Sequence, residues 1–318
     1  MKTTAMLCAL ASLVSMGAQD FTGVYPESVK TIGLVAMSSV MPYKKLVEGT
    51  NLLAKAGYKV KVMPNVPKRS VEPPEVRARL FEQAWMDPEV DLLLFATGGQ
   101  GAIDVVDIID WDKLRSRDMR VIGFSDLTLL VNTMLAKKAG HPYSGPVLTT
   151  MLYSTPATLK RIHDALAGTP PSAKLTPVKP AAAPVKGTAM GGLLDRVRRM
   201  AECGTLPDTT GKVVFIECTS KYKDRSEEVL GQLVDKGVFS KAAGVVICSF
   251  NDSNPKSRMP KDEVAALLSR FAAKVPCPVF KGFPYGHVSQ TSLIDFRREL
   301  TISPDGLLEW SKEDKGWR

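Results

Sequence analysis

Ser125 stands in Val121-Ile122-Gly123-Phe124-Ser125-Asp126-Leu127-Thr128, where an apolar strand-like run gives way to a helix-like one. A serine on a strand-to-helix turn presents its hydroxyl at the C-terminal edge of a sheet. There the N–H groups of the opening helix face whatever the hydroxyl attacks. Gly123 permits close backbone approach, but Leu127 occupies the place of the second glycine in a Gly-x-Ser-x-Gly turn. A plain serine or aspartate N-cap would leave the same local pattern, so the turn alone leaves both readings open.

Gly98-Gly99-Gln100-Gly101, after the apolar run Leu92 to Thr97, supplies a second turn at the same edge. Such a loop can cradle a phosphate or the oxyanion of acyl transfer. The lysine of a nucleotide-binding P-loop and the full Gly-x-Gly-x-x-Gly are both lacking, so the oxyanion reading fits better. A general base has three candidates, His141, His163 and His287. His163 lies in a helical run, Leu159 to Ala167, among charged neighbours and is expected at the surface. His287 follows Pro284-Tyr285-Gly286 in a loop after a strand, a frequent place for catalytic groups. Glu217 ends the apolar run Val213 to Ile216, where a carboxylate is costly without a partner. A histidine would serve, since a carboxylate on one ring nitrogen fixes the tautomer that faces a serine. A salt bridge to Arg225 or Lys221 is the structural alternative.

The elements that must position these residues alternate from Thr31 onward. Strands are predicted over 31–37, 58–63, 92–95 and 120–124, with helices over 43–56, 75–85, 102–109 and 127–138 between and after them. Short Val/Ile/Leu-rich runs separated by amphipathic helices indicate a parallel sheet covered on both faces. The N-terminal half, residues 19–167, is therefore expected to be an α/β domain carrying Ser125. Residues 168–187, with Thr169-Pro170-Pro171 and Pro177 to Pro184, break all periodicity and read as an extended linker. A second mixed domain is expected over 188–318. Its helices are predicted at 193–201, 225–236 and 261–273, its strands at 213–217, 244–249 and 278–281.

Composition bounds the function. At 318 residues, 44% hydrophobic and 24% charged, the chain suits two globular domains. Residues 1–18 combine Lys2, an apolar run from Ala5 to Val14 and the small stretch Ser15-Met16-Gly17-Ala18, the layout of a secretory signal peptide. Cleavage near Gly17 or Ala18 would give a secreted or periplasmic protein and lower the formal charge from +9 to +8 by removing Lys2. No run is long enough to span a membrane. The lysines and arginines are scattered without aromatic interleaving, which argues against nucleic acid and for a solvated surface. Cys203, Cys218, Cys248 and Cys277 allow three disulfide pairings, or buried thiols where Cys218 and Cys248 sit in apolar runs. They show no close paired zinc spacing, and no metal or cofactor is implied.

Taken together the segments resemble the LD-carboxypeptidase family of serine peptidases, the muramoyl-tetrapeptide carboxypeptidases and their microcin-immunity relatives. The likeness runs from about Val29 to Leu300. It rests on Ser38-Ser39, the Gly98–Gly101 turn, Gly123 to Thr128, Gly145-Pro146, Gly191-Gly192, Phe215-Ile216-Glu217 and Gly286-His287. The resemblance implies a flavodoxin-like parallel-sheet N-terminal domain with a smaller β-rich α/β C-terminal domain. It places the nucleophile on Ser125, the triad glutamate on Glu217 and the triad histidine on His287, with oxyanion donors at the N–H groups of Asp126 and Gly99. The implied activity is release of the terminal D-alanine from a peptidoglycan tetrapeptide. Family members are often homodimers, which the residue pattern itself leaves open.

Three positions and one stretch depart from the family pattern. Met37 replaces the usual proline before Ser38-Ser39, Leu193 the usual asparagine after Gly191-Gly192, and Ser144 a frequent histidine before Gly145-Pro146. The stretch after His287 lacks Pro-Leu-Gly. These changes bear on substrate choice more than on the triad. Two rival expectations accompany this one: hydrolysis of another acidic peptide or peptide-nucleotide conjugate, as in the microcin-immunity branch, and a cell-wall-peptide binding protein without catalysis.

Overall fold

The computed structural model describes residues 19–219, 224–250, 258–314 and 316–317. The expected leader, residues 1–18, and Lys221 lie outside them. Five parallel strands form the first sheet: β1 (Thr31–Val35), β2 (Lys59–Val62), β3 (Leu92–Phe95), β4 (Arg120–Gly123) and β5 (His141–Ser144). Their order is β2-β1-β3-β4-β5, the flavodoxin-like arrangement, and β12 (Ile294–Asp295) adds an antiparallel edge on β5. The strands β1 and β3 are buried along their whole length, as in a sheet sandwiched between helices. Leu93, Phe95 and Val35 join one hydrophobic cluster with Phe81 and Trp85 of α2 (Pro74–Met86) and Leu130 of α4 (Thr128–Lys137). Ile32, Leu34, Leu92 and Leu94 face the other way, against Leu46 and Leu53 of α1 (Tyr43–Lys55) and Ile162 of α6 (Pro156–Leu166). The period-two alternation thus divides the core between the two faces.

The second sheet has eight strands. The strands β8 (Val185–Leu193), β9 (Val213–Glu217), β10 (Gly244–Ile247) and β11 (Val279–Lys281) run parallel. Around them lie β13 (Glu299–Ile302), β14 (Leu307–Trp310), β6 (Ala173–Lys174) and β7 (Thr176–Lys179), all antiparallel additions, in the order β6-β14-β13-β8-β9-β10-β11-β7. Only Leu175 separates β6 from β7, yet they occupy the two ends of that order, so the sheet curls back on itself in the manner of a barrel. The helices of this half are α7 (Leu194–Cys203), α8 (Ser226–Asp235) and α9 (Lys261–Lys274), while the short α5 (Leu148–Met151) follows β5 in the first half.

Two expectations change. Residues 168–187, expected as an extended linker, are extended but contain β6, β7 and the start of β8, so this proline-rich connection is itself part of the second sheet. The helix expected over 102–109 is a 3-10 turn at Ala102–Asp104, followed by the short helix α3 (Trp111–Leu114). Ile103, Val105, Val106, Ile108 and Ile109 are β-branched and lose side-chain freedom in a helix, which disfavours a longer one. The first hydrophobic cluster also runs on without a break into Leu194, Val197 and Phe215, so the two sheets share a core.

Candidate active site

β4 ends at Gly123, Phe124 stays extended, and Ser125–Leu127 turn as a 3-10 segment into α4. Ser125 has φ 61°, a left-handed conformation that costs a non-glycine residue about 1 kcal/mol. Such a cost persists only where surrounding packing dictates it. Gly123 shows how: a Cβ there would meet the Leu127 Cβ and Val131 Cγ1 at 2.9 Å, so its absence lets α4 fold back over its own strand. Leu127, which departs from the two-glycine turn, is fully buried in that contact.

The structure brings Ser125, His287 and Glu217 together. Ser125 Oγ lies 3.1 Å from His287 Nε2, and His287 Nδ1 lies 3.1 and 3.0 Å from the two oxygens of Glu217. With its proton on Nδ1, donated to Glu217, the ring leaves Nε2 to accept the serine proton. The ring packs on Phe124 at 4.5 Å between centroids. Gly286, at φ 136°, brings the chain against Glu217, and a Cβ there would sit 2.9 Å from Ser249 Cβ. Glu217 is completely buried at the end of β9. Arg225, the alternative partner, instead meets Glu228 at 3.4 Å. Burial, reinforced by the Glu217 charge, pushes the Cys218 thiol up to about 12 and the Tyr285 hydroxyl well above its ordinary value. Both therefore stay protonated near neutral pH.

On the other side of Ser125 lies the glycine turn. A Cβ on Gly98 would be 3.0 Å from the Ser125 Cβ, and one on Gly99, at φ 120°, would be 2.0 Å from Ser39 Oγ. Among the described residues the N–H groups of Gly99 and Asp126 donate no hydrogen bond, so both are free to receive an oxyanion. Sequence reasoning gave no role to Ser38, Arg77 or Arg196, which surround this turn. Asp126, one residue past the serine, was the available signal, since a carboxylate there requires partners.

A cavity of about 460 Å³ opens beside His287, lined in part by Phe124, Pro146, Thr150, Tyr153 and Ser289, and among the described residues its wall holds neither arginine nor lysine. A cleft of about 970 Å³ adjoins it through Tyr153, Ser154 and Ser289. Lys45 Nζ sits 4.8 Å above the Tyr153 ring at this rim. The other histidines lie apart from the relay. His163 pairs with Asp164 on partly exposed α6, while His141 is buried in β5 against Asp295 at 2.7 Å. All four described cysteines are free thiols, Cys203 exposed and the rest buried. Among the described residues no group of three or more His, Cys, Asp or Glu could hold a metal ion, and no helix is long and apolar enough to cross a membrane.

Residues 32–144 match the model of the LD-carboxypeptidase N-terminal domain and residues 186–302 that of the LD-carboxypeptidase C-terminal domain. A Bacillus subtilis protein named "Probable murein peptide carboxypeptidase" is 26% identical over 273 residues, which cover 81% of this chain and 84% of that one. The crystal structure of muramoyltetrapeptide carboxypeptidase from Oxalobacter formigenes superposes with a TM-score of 0.77 at 22% identity, covering 88% of this chain and 98% of that one. The microcin C7 self-immunity protein MccF does so with a TM-score of 0.75 at 18% identity, covering 91% and 98%. These likenesses in the solved structures establish a common fold, and the two domain models, in order and on either side of the shared core, establish that the chain belongs to the LD-carboxypeptidase family.

Proposed function

We propose that this chain is a serine LD-carboxypeptidase that releases the terminal D-alanine of peptidoglycan tetrapeptides through an acyl-enzyme. The observation that carries the reading is the relay Ser125–His287–Glu217, whose links measure 3.1 and 3.0–3.1 Å. His287 takes the Ser125 proton as Oγ attacks the scissile carbonyl. The N–H groups of Gly99 and Asp126 receive the oxyanion, and His287 returns the proton to the leaving D-alanine amine. Water then repeats the sequence on the ester. The strained Ser125 turn supports catalysis over a binding role alone, because simple peptide binding gives no reason to hold a serine at φ 61°. The Bacillus subtilis relative named for murein peptides supports a cell-wall substrate.

The reading is tested by offering the purified protein a disaccharide tetrapeptide, the corresponding pentapeptide and an aminoacyl-nucleotide, and identifying products by mass spectrometry. Free D-alanine from the tetrapeptide is expected. Cleavage of the nucleotide conjugate alone would move the protein to the microcin-immunity type of activity, and binding without any product would make it a peptide-binding protein. We further propose that residues 1–18 direct export, so that exported protein should begin near Gln19; an intact Met1 on it would contradict this. The family likeness supports a homodimer, checked by the molar mass in solution.

A further inference from the structure

We propose that Arg196, with Arg77 behind it, is a positioning residue that holds the oxyanion site at its working spacing from outside. The inference rests on the serine mechanism above and deepens it. The carboxylate of Asp126, a residue only 1% exposed, accepts hydrogen bonds from Arg196 Nε at 2.7 Å, Ser38 Oγ at 2.6 Å and the Ala102 N–H at 2.9 Å. One carboxylate therefore ties together the chain segments that leave β1, β3 and β4. Arg196 comes from α7, in the second half of the molecule, and is itself braced by Asp195 at 2.7 Å. Its Nη2 also reaches the Gly99 carbonyl at 3.4 Å.

Arg77 grips the same turn at Gly101. It is 4% exposed, and Nη1 donates to the carbonyls of Met37 at 2.6 Å and Gly101 at 2.9 Å, while Nε donates to that of Glu72 at 2.9 Å. At the turn, the Ser39 N–H donates to the Gly98 carbonyl at 3.2 Å. A trans peptide is planar with its N–H opposed to its C=O, so this bond fixes where the Gly99 N–H points. The glycines of the turn have no side chains to hold that direction, and two rigid, forked cations supply the constraint. Arg196 thus adds a second contribution of the C-terminal half to the nucleophile's surroundings, distinct from the His287–Glu217 pair.

The test uses a fluorophosphonate on the full-length protein, which needs no knowledge of the peptide substrate. Ser125 Oγ attacks phosphorus, an O–P bond forms, the P–F bond breaks to release fluoride, and the serine proton passes to His287. The phosphoryl oxygen occupies the oxyanion site. Arg196→Ala should be labelled roughly 10- to 100-fold more slowly than wild type, less than deletion of a donor itself costs. Arg196→Lys keeps a charge beside Asp126 but loses the fork; it should fall between the two and guards against a variant that merely fails to fold. Arg198→Ala, on the same helix but bonded to Asp195 and Glu202, should be labelled at the wild-type rate. Wild-type labelling of Arg196→Ala, or equal slowing of Arg198→Ala, would overturn the inference alone. Wild-type protein that resists labelling would sink the serine mechanism and this inference with it.

Discussion

At the scale of single residues, Glu217 is the most exposing test of the relay, because it is wholly buried and its partner is His287. Glu217→Gln preserves size but favours the other ring tautomer. The expected result is a fall in kcat on the order of 10⁴-fold with KM little changed. A fall of less than tenfold would assign Glu217 a packing role. The residue types here were readable from sequence: a serine on a turn, a carboxylate at the end of an apolar strand, a histidine after a glycine. The left-handed Ser125 was not readable, since its conformation is imposed by α4 folding back through Gly123, a contact that exists only once strand and helix are packed.

At the scale of elements, the glycine turn after β3 and the edge strand β12 each carry an expectation. Gly99→Ala would drive a methyl to within 2.0 Å of Ser39 Oγ at a φ of 120°. Activity should drop about 10²- to 10³-fold, the cost of displacing one oxyanion donor, with the melting temperature lowered by only a few degrees. Wild-type turnover by this variant would remove Gly99 from the site. Away from the site, Asp295 of β12 binds His141 of β5 at 2.7 Å. Burial by itself would raise the Asp295 carboxyl, but the His141 charge and hydrogen bond, with the N–H groups of Arg297 and Arg298, outweigh it and leave the group below its ordinary value. A carboxyl lowered by folding stabilises the protein fully above its unfolded value of about 3.9, and that stability drains away as pH falls through the lower folded value. Asp295→Asn should therefore cost about 3–5 kcal/mol near neutral pH and flatten the acid limb of the stability curve, as measured by urea unfolding across pH. Unchanged stability would contradict the pairing. Sequence periodicity located β1, β3, β4 and β9 within two residues at each end because their apolar runs are continuous. It missed β5, β6, β7, β8, β12, β13 and β14, which are short or rich in glycine, proline or polar residues, and strand only by virtue of their neighbours.

At the scale of the molecule, α4 and α7 pack across the boundary between the two sheets, and one hydrophobic cluster spans both. A single cooperative calorimetric transition is expected, whereas two well-separated transitions would mean that the halves fold independently. The shared core also explains why Ser125, from the first sheet, can meet His287 and Glu217 at hydrogen-bond distance. The order of motifs made two halves readable in the sequence, but the proline-rich 168–187 stretch reads as an extended linker because its strand residues pair only with partners 100 or more residues away in the chain. The central claim is that Ser125 is the attacking atom of this two-sided site. Its most direct test is the rate of D-alanine release from a muramoyl tetrapeptide by Ser125→Ala beside wild type, with both shown to be folded. The expected result is a loss on the order of 10⁶-fold; release by the variant at the wild-type rate would contradict the claim.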